Sequence, residues 1–159
     1  MLGGAIRDPL GVESSDREAR GLGLLDIETE FHREKHTTQT TGRVTAAVGL
    51  LAGAVGLAVR GYEIHAGVSR AAGTAFAADD GRALGAANAN GLVAGCYLHG
   101  LFANQPFRQA LLATVASLRG KRYAPSARLD HEASLDRLAD VLRSSLDLPL
   151  IRRLIEAQR

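Results

Sequence analysis

Two short stretches each set a histidine among apolar residues and glycines: GYEIHAG from Gly61 to Gly67, and GCYLHGLF from Gly95 to Phe102. An imidazole titrates near neutrality, so His99, at the end of an apolar run and followed by the flexible Gly100, is suited to take a thiol proton and return it to a departing amine. In the earlier stretch Glu63 and His65 stand two apart, so on a strand they share a face and either pair as acid and histidine or face a subunit or domain contact. Cys96 is the sole cysteine. Strand alternation sends Tyr97 and His99 one way and Cys96 and Leu98 the other, which keeps the thiol from the imidazole and makes Cys96 a small buried residue rather than a nucleophile. His99 is thus the candidate catalytic base, with Glu63, His65, Tyr97 and Gly100 as candidates for the wall of the same site.

Other patterns carry less. HREKH, His32 to His36, puts two histidines four apart without the HExxH order of a zinc protease or an evident third ligand, and reads as a solvated polar turn. GLGLLD, Gly21 to Asp26, lacks the third glycine and the preceding strand of a dinucleotide fingerprint. The pI is near 9.0, but the net charge is only +2 and the arginines are dispersed, so no nucleic-acid stripe emerges. Arg119, Lys121 and Arg122 follow an apolar periodic segment, where cations complement a helix C-terminus. The apolar run Val44 to Val59 is too short for a spanning helix, which needs about 20 residues, and its glycines and β-branched residues suit strand and turn, so no membrane association is expected. A single cysteine excludes an internal disulfide, and with no opening signal peptide a cytoplasmic location follows by default.

The elements that must position these residues fall into two regions. With 46% hydrophobic and 23% charged residues, the 159-residue chain suits one soluble domain burying roughly 70% of its unfolded surface. Residues 1–103 read as strand-rich. Leu2 to Ile6 is too short to stand as an element, and RDPLGVE is a turn. Leu25, Ile27, Thr29 and Phe31 alternate as on a half-buried strand, and Thr37 to Thr41 with Val44 to Val48 fit another entered through Gly42. Leu92 to Leu98 reads as a strand buried on both faces. Residues 104–159 switch to helical spacing. Asn104 caps a helix with Pro106 in its first turn and Phe107, Leu111, Val115 and Leu118 on one face, ending at Gly120. Leu135, Leu138, Ala139, Leu142 and Leu146 mark a second helix, and Pro149 interrupts before a short Ile151 to Ala157 helix.

GYEIHAG together with GCYLHGLF resembles the two histidine strands of the cobyric acid synthase type of glutamine amidotransferase domain. MLGGAIRDPLGVE is similar to the family's segment after its Cys-Gly-Gly nucleophile elbow. GLGLLDIE resembles its next strand entry, Lys35, Gln39 and Gly42 suit the polar stretch that follows, and LDRLADVLRSSLD resembles its closing helix. The resemblance covers essentially the whole chain in order.

It implies an α/β fold, part of a class I, flavodoxin-like glutamine amidotransferase domain. The complete enzyme would belong to cobalamin biosynthesis, using ATP and glutamine to amidate peripheral carboxylates of adenosylcobyrinic acid a,c-diamide. Its substrates would be glutamine and a corrinoid, and ATP and Mg²⁺ would be held by an N-terminal synthetase domain in the same or another chain, with no cofactor in this one. Only His99 matches a family catalytic position. The position two after it, a glutamate in triad-type relatives, is Leu101, which implies a Cys-His dyad. Met1 matches an internal methionine of the family, so the resemblance implies a C-terminal fragment lacking the synthetase domain and nucleophile elbow, inactive alone. The alternatives are a non-catalytic partner subunit that binds a separate synthetase or glutaminase chain, and a stand-alone amide hydrolase using Cys96.

Overall fold

A computed structural model describes residues 1–71, 74–125 and 131–157. The chain divides into two compact units, residues 1–124 and 125–159.

The first unit is built on one mixed sheet. Its strands are β1 (Ala5–Arg7), β2 (Glu18–Arg20), β3 (Ile27–Val44), β4 (Ala58–Ala71), β5 (Phe76–Ala78), β6 (Ala83–Ala87), β7 (Ala94–Cys96) and β8 (Leu98–His99). The long β3 and β4 form an antiparallel ladder from Ile27↔Ala71 to Arg43↔Ala58. On its other edge β3 pairs in parallel with β1 near Thr29, and antiparallel with β5 near Arg43. From β5 the sheet continues through β6 to β7, while β8 pairs with β4 alone. Threonine and valine favour this pleated backbone, and burial of Thr40, Gly42 and Val44 against exposure of Thr41 and Arg43 shows the period of two.

The core gathers Val44, Val59, Phe76, Leu84 and Leu98 from the strands, Leu51 and Ala54 from a 3-10 turn at Gly49–Ala54, and Phe107 from helix α1 (Gln105–Leu118). Phe107 is 1% exposed and meets Phe76 edge-on with ring centroids 5.9 Å apart. It anchors α1 to the sheet, whereas Leu112, Val115 and Leu118 farther along the helix are exposed.

The second unit contains α2 (His131–Ser145) and α3 (Leu148–Glu156). Asp147 caps α3, its carboxylate accepting from the Leu150 N–H at 2.9 Å.

Among the described residues the chain adopts an α/β fold, strand-rich to residue 103 and with its three α-helices after it. The compact units nevertheless divide at residue 124, because α1 packs through Phe107 into the strand core. Several local expectations are corrected. β1 does form, since a three-residue strand survives when both its neighbours hydrogen-bond it. The expected pair of strands before residue 48 is one strand, β3, with an irregularity between Phe31 and His36, and residues 45–48 are not strand. HREKH accordingly lies on strand rather than in a turn, with His32 to Lys35 exposed, because β4 holds its flanks in the ladder. The single buried strand expected at 92–98 is broken at Tyr97, where the chain leaves β6 and crosses to β4. Pro149 sits in the first turn of α3, where its missing N–H costs nothing, so the helix starts before it.

Truncating the α1 anchor tests this account of the core. Phe107→Ala should lower the free energy of unfolding by about 3–5 kcal/mol, and Leu118→Ala by less than about 0.5 kcal/mol, in urea denaturation.

Candidate functional site

β4 is the backbone of the site. Side chains alternate along it, and its register with β8 sets Tyr62 opposite His99 and Glu63 opposite Leu98. Directly opposed residues share a face. Tyr62 and His99 are exposed on the outer face, whereas Glu63 and Leu98 are buried on the inner one. Sequence alternation within one continuous strand placed Tyr97 with His99. The break between β7 and β8 instead turns Tyr97 inward, where its ring stacks on His65 at 4.2 Å between centroids and its hydroxyl bonds the Ser69 hydroxyl.

The inner face carries a connected polar cluster. Glu63, though 2% exposed, accepts from the Thr40 hydroxyl at 2.6 Å and from the Arg82 guanidinium at 3.2 Å. His65 Nε2 lies 3.3 Å from the other carboxylate oxygen, and His65 Nδ1 lies 2.7 Å from the Gly67 carbonyl. Ser69 in turn bonds Thr29 at 2.6 Å. The acid-histidine pair expected of Glu63 and His65 is therefore present, on the face opposite His99. Burial alone pushes the Glu63 carboxyl up, but hydrogen bonds from Thr40, Arg82 and His65, with the Arg82 charge, outweigh it and hold Glu63 below its ordinary value.

Two glycines let His99 reach its position. Gly100 adopts φ +80°, a left-handed conformation that turns the chain immediately after the histidine. Gly61 is buried beneath the backbone of β8, and a Cβ there would collide with the His99 carbonyl oxygen. His99 and Gly100 thus sit at a sharp, outward-facing corner, while Glu63, His65 and Tyr97 form a separate wall behind the sheet.

Cys96 is half-buried, its thiol 4.0 Å from the Leu98 carbonyl, and burial pushes the thiol's pKa up. A raised pKa leaves little thiolate at neutral pH, which disfavours a nucleophile. Cys96, Tyr97 and Ser69 line an apolar cavity of about 180 Å³ with Leu2, Leu25 and Ile27, and His99 is not among its lining residues. Among the described residues, no three His, Cys, Asp or Glu side chains converge to hold a metal ion, and no helix is long and apolar enough to cross a membrane.

Sequence reasoning missed Asp8, Thr40 and Arg82. Asp8 is 3% exposed, and its carboxylate collects the N–H groups of Val12, Glu13 and Ser14. These bonds outweigh burial and hold its pKa low. The Asp-Pro-x-Gly sequence at Asp8 to Gly11 signals such a turn. Nothing local marks Thr40 or Arg82, which the β3–β4 register and the β5–β6 turn bring to Glu63.

Two measurements test this geometry. Because Glu63 ionises at lower pH in the folded state than in the unfolded chain, its stabilising contribution is complete above about 4.5 and is lost as pH falls through the folded value. Wild-type stability should therefore decline on acidification below that point, and Glu63→Gln should be less stable at neutral pH with a shallower decline. Equal slopes in urea titrations would refute the role given to Glu63. Gly61→Ala should destabilise by about 1–3 kcal/mol, whereas Gly4→Ala, whose Cβ meets no atom, should change stability by less than about 0.5 kcal/mol.

Comparison with known proteins gives this architecture its relatives. A family model described as a CobB/CobQ-like glutamine amidotransferase domain matches residues 1–107, which include both histidine motifs. The chain is 43% identical to a cobyric acid synthase of Dehalococcoides mccartyi over 95% of its own length and 32% of the relative's. It is 39% identical to that of Desulfitobacterium hafniense, over 98% of this chain and 31% of the relative. It is 40% identical to that of Sorangium cellulosum, over 100% and 35% respectively. The chain spans about a third of the length of these curated relatives. The family's domain is of the flavodoxin-like, class I glutamine amidotransferase type that the motifs led us to expect. With its ordered motifs on a mixed α/β sheet and more than half its length matched, the chain belongs to the CobB/CobQ-like glutamine amidotransferase domain family.

Proposed function

We propose that this chain is the histidine-bearing part of the glutamine amidotransferase domain of a cobyric acid synthase, with His99 as the general base. The complete enzyme would act in the cytoplasm in cobalamin biosynthesis, amidating peripheral carboxylates of adenosylcobyrinic acid a,c-diamide with ammonia drawn from glutamine. ATP and Mg²⁺ would be held by the synthetase domain, which activates the carboxylate.

The chemistry asks for a cysteine thiol beside an imidazole. His99 takes the thiol proton as the sulfur adds to the carboxamide carbon of glutamine. When the resulting tetrahedral oxyanion collapses, the C–N bond breaks and His99 passes the proton to the leaving nitrogen, releasing ammonia and leaving a glutamyl thioester. Water then attacks the thioester, His99 accepts a proton from it, and return of that proton to sulfur yields glutamate and the free thiol. The cysteine belongs to the family's nucleophile elbow, since Cys96 is half-buried with a raised pKa and lines a cavity that His99 does not line.

The observation that carries this reading is the outward, exposed His99 at the corner made by Gly100, within the family-matched segment. A complete polypeptide that includes the elbow cysteine tests it. Its glutamine-dependent amidation should fall by roughly 10²–10⁴-fold in His99→Ala, while amidation fed directly with ammonia persists. Cys96→Ala should retain glutaminase activity, and the 159-residue chain alone should release no ammonia from glutamine. Undiminished glutaminase activity in His99→Ala would overturn the assignment.

A further inference from the structure

β8 ends at His99, yet β4 continues past it, and this leaves the backbone of Arg60 with a sheet edge to satisfy. Backbone groups two residues apart on a strand face the same edge. Tyr62 faces β8 through His99, so Arg60 faces the same side, where the next β8 partner would lie had the chain not turned at Gly100. The side chain of Asn104 occupies that place. Its Oδ1 accepts the Arg60 N–H at 3.0 Å and its Nδ2 donates to the Arg60 carbonyl at 2.9 Å. Nδ2 also donates to the Leu101 carbonyl at 2.9 Å.

This corrects the expectation from sequence. Asn104 stands at the N-cap of α1, but its side chain makes no capping bond to the helix. The carboxamide is committed instead to the turn and to β4. A primary amide presents one acceptor and two donors, and here it reproduces the donor-acceptor pair of a backbone peptide group, acting as one more residue of the missing strand.

We propose that Asn104 is a positioning residue for His99: it clamps the Gly100–Asn104 turn to β4 and thereby fixes the corner on which the imidazole is presented. The turn is fastened to β4 on one side by the Tyr62↔His99 pairing and on the other by this amide, with Gly100 at φ +80° between them. Without the amide, the backbone groups of Arg60 turn to water and the turn after His99 loses its hydrogen-bonded tie to β4, leaving Leu101 to hold it through core packing alone. Asparagine is needed because an aspartate keeps the acceptor for the Arg60 N–H but sets a carboxylate against the Arg60 and Leu101 carbonyls.

This inference rests on the reading of His99 as the glutaminase base, and the experiment separates the two. In the complete polypeptide, Asn104→Ala, Asn104→Asp and His99→Ala are compared for glutamine hydrolysis, ammonia-fed amidation and thermal midpoint. Both Asn104 variants should lower kcat for glutamine by roughly ten- to a hundredfold, with KM for glutamine and ammonia-fed amidation little changed. If Asn104→Ala fails to fold, Asn104→Asp decides alone. Wild-type kcat in the Asn104 variants, or a parallel fall of both activities, overturns the positioning role while an inactive His99→Ala leaves the base assignment standing. An active His99→Ala overturns the base assignment itself, and the positioning role with it.

Discussion

Alternation of side chains along β4 is the constraint on which the site depends. A strand cannot present neighbouring residues to the same face, so Tyr62 and Glu63 are sent to opposite sides of the sheet. The pairing of β8 with β4 then assigns His99 to the side of Tyr62 and Leu98 to the side of Glu63. One ladder separates the solvent-facing imidazole from the buried acid-histidine cluster. A slip of β8 by one residue against β4 would turn His99 inward and Leu98 outward.

The inner cluster shows what it takes to keep a carboxylate under such a sheet. Glu63 survives burial because Thr40 arrives from β3, Arg82 from the β5–β6 turn and His65 from the same strand, each contributing a hydrogen bond. Arg82 also reaches Asp80 at 2.8 Å, so one guanidinium ties the turn to the sheet. Among the described residues no buried side-chain nitrogen or oxygen lacks a partner. A cluster connected in this way resists rearrangement, since removing one member strands the others in a low dielectric. It therefore supplies a rigid back to the strand whose other face carries His99.

Burial of the core and presentation of the histidine also share elements. Leu98 and Leu101 bracket His99 and are both buried, so the residues on each side of the histidine corner are anchored in the core that Phe107 completes. Gly61 lets the β8 backbone approach β4 closely, and Gly100 releases the chain toward α1. The exposed imidazole thus stands between two buried neighbours.

The residues themselves determined much of this. The two histidine motifs, the α/β class, the onset of helix near Asn104 and the same-face pairing of Glu63 with His65 are local or periodic properties, legible from spacing because strands repeat every two residues and helices every 3.6. The turn at RDPLGVE was legible from its Pro and Gly, but not the capture of three backbone N–H groups by Asp8. What tertiary structure alone decided is which strands meet and where they break. Nothing local to residues 92–98 signals that the chain leaves β6 at Tyr97 and crosses to β4, yet that crossing turns Tyr97 inward onto His65 and leaves His99 outward. Nothing in the sequence near Asn104 distinguishes a helix cap from an amide bonded to Arg60, because its partner is 44 residues away and lies on an edge exposed only by the end of β8. Local sequence fixes conformational preference, whereas the choice of partner is settled by which distant backbone and side-chain groups the packed sheet leaves unsatisfied.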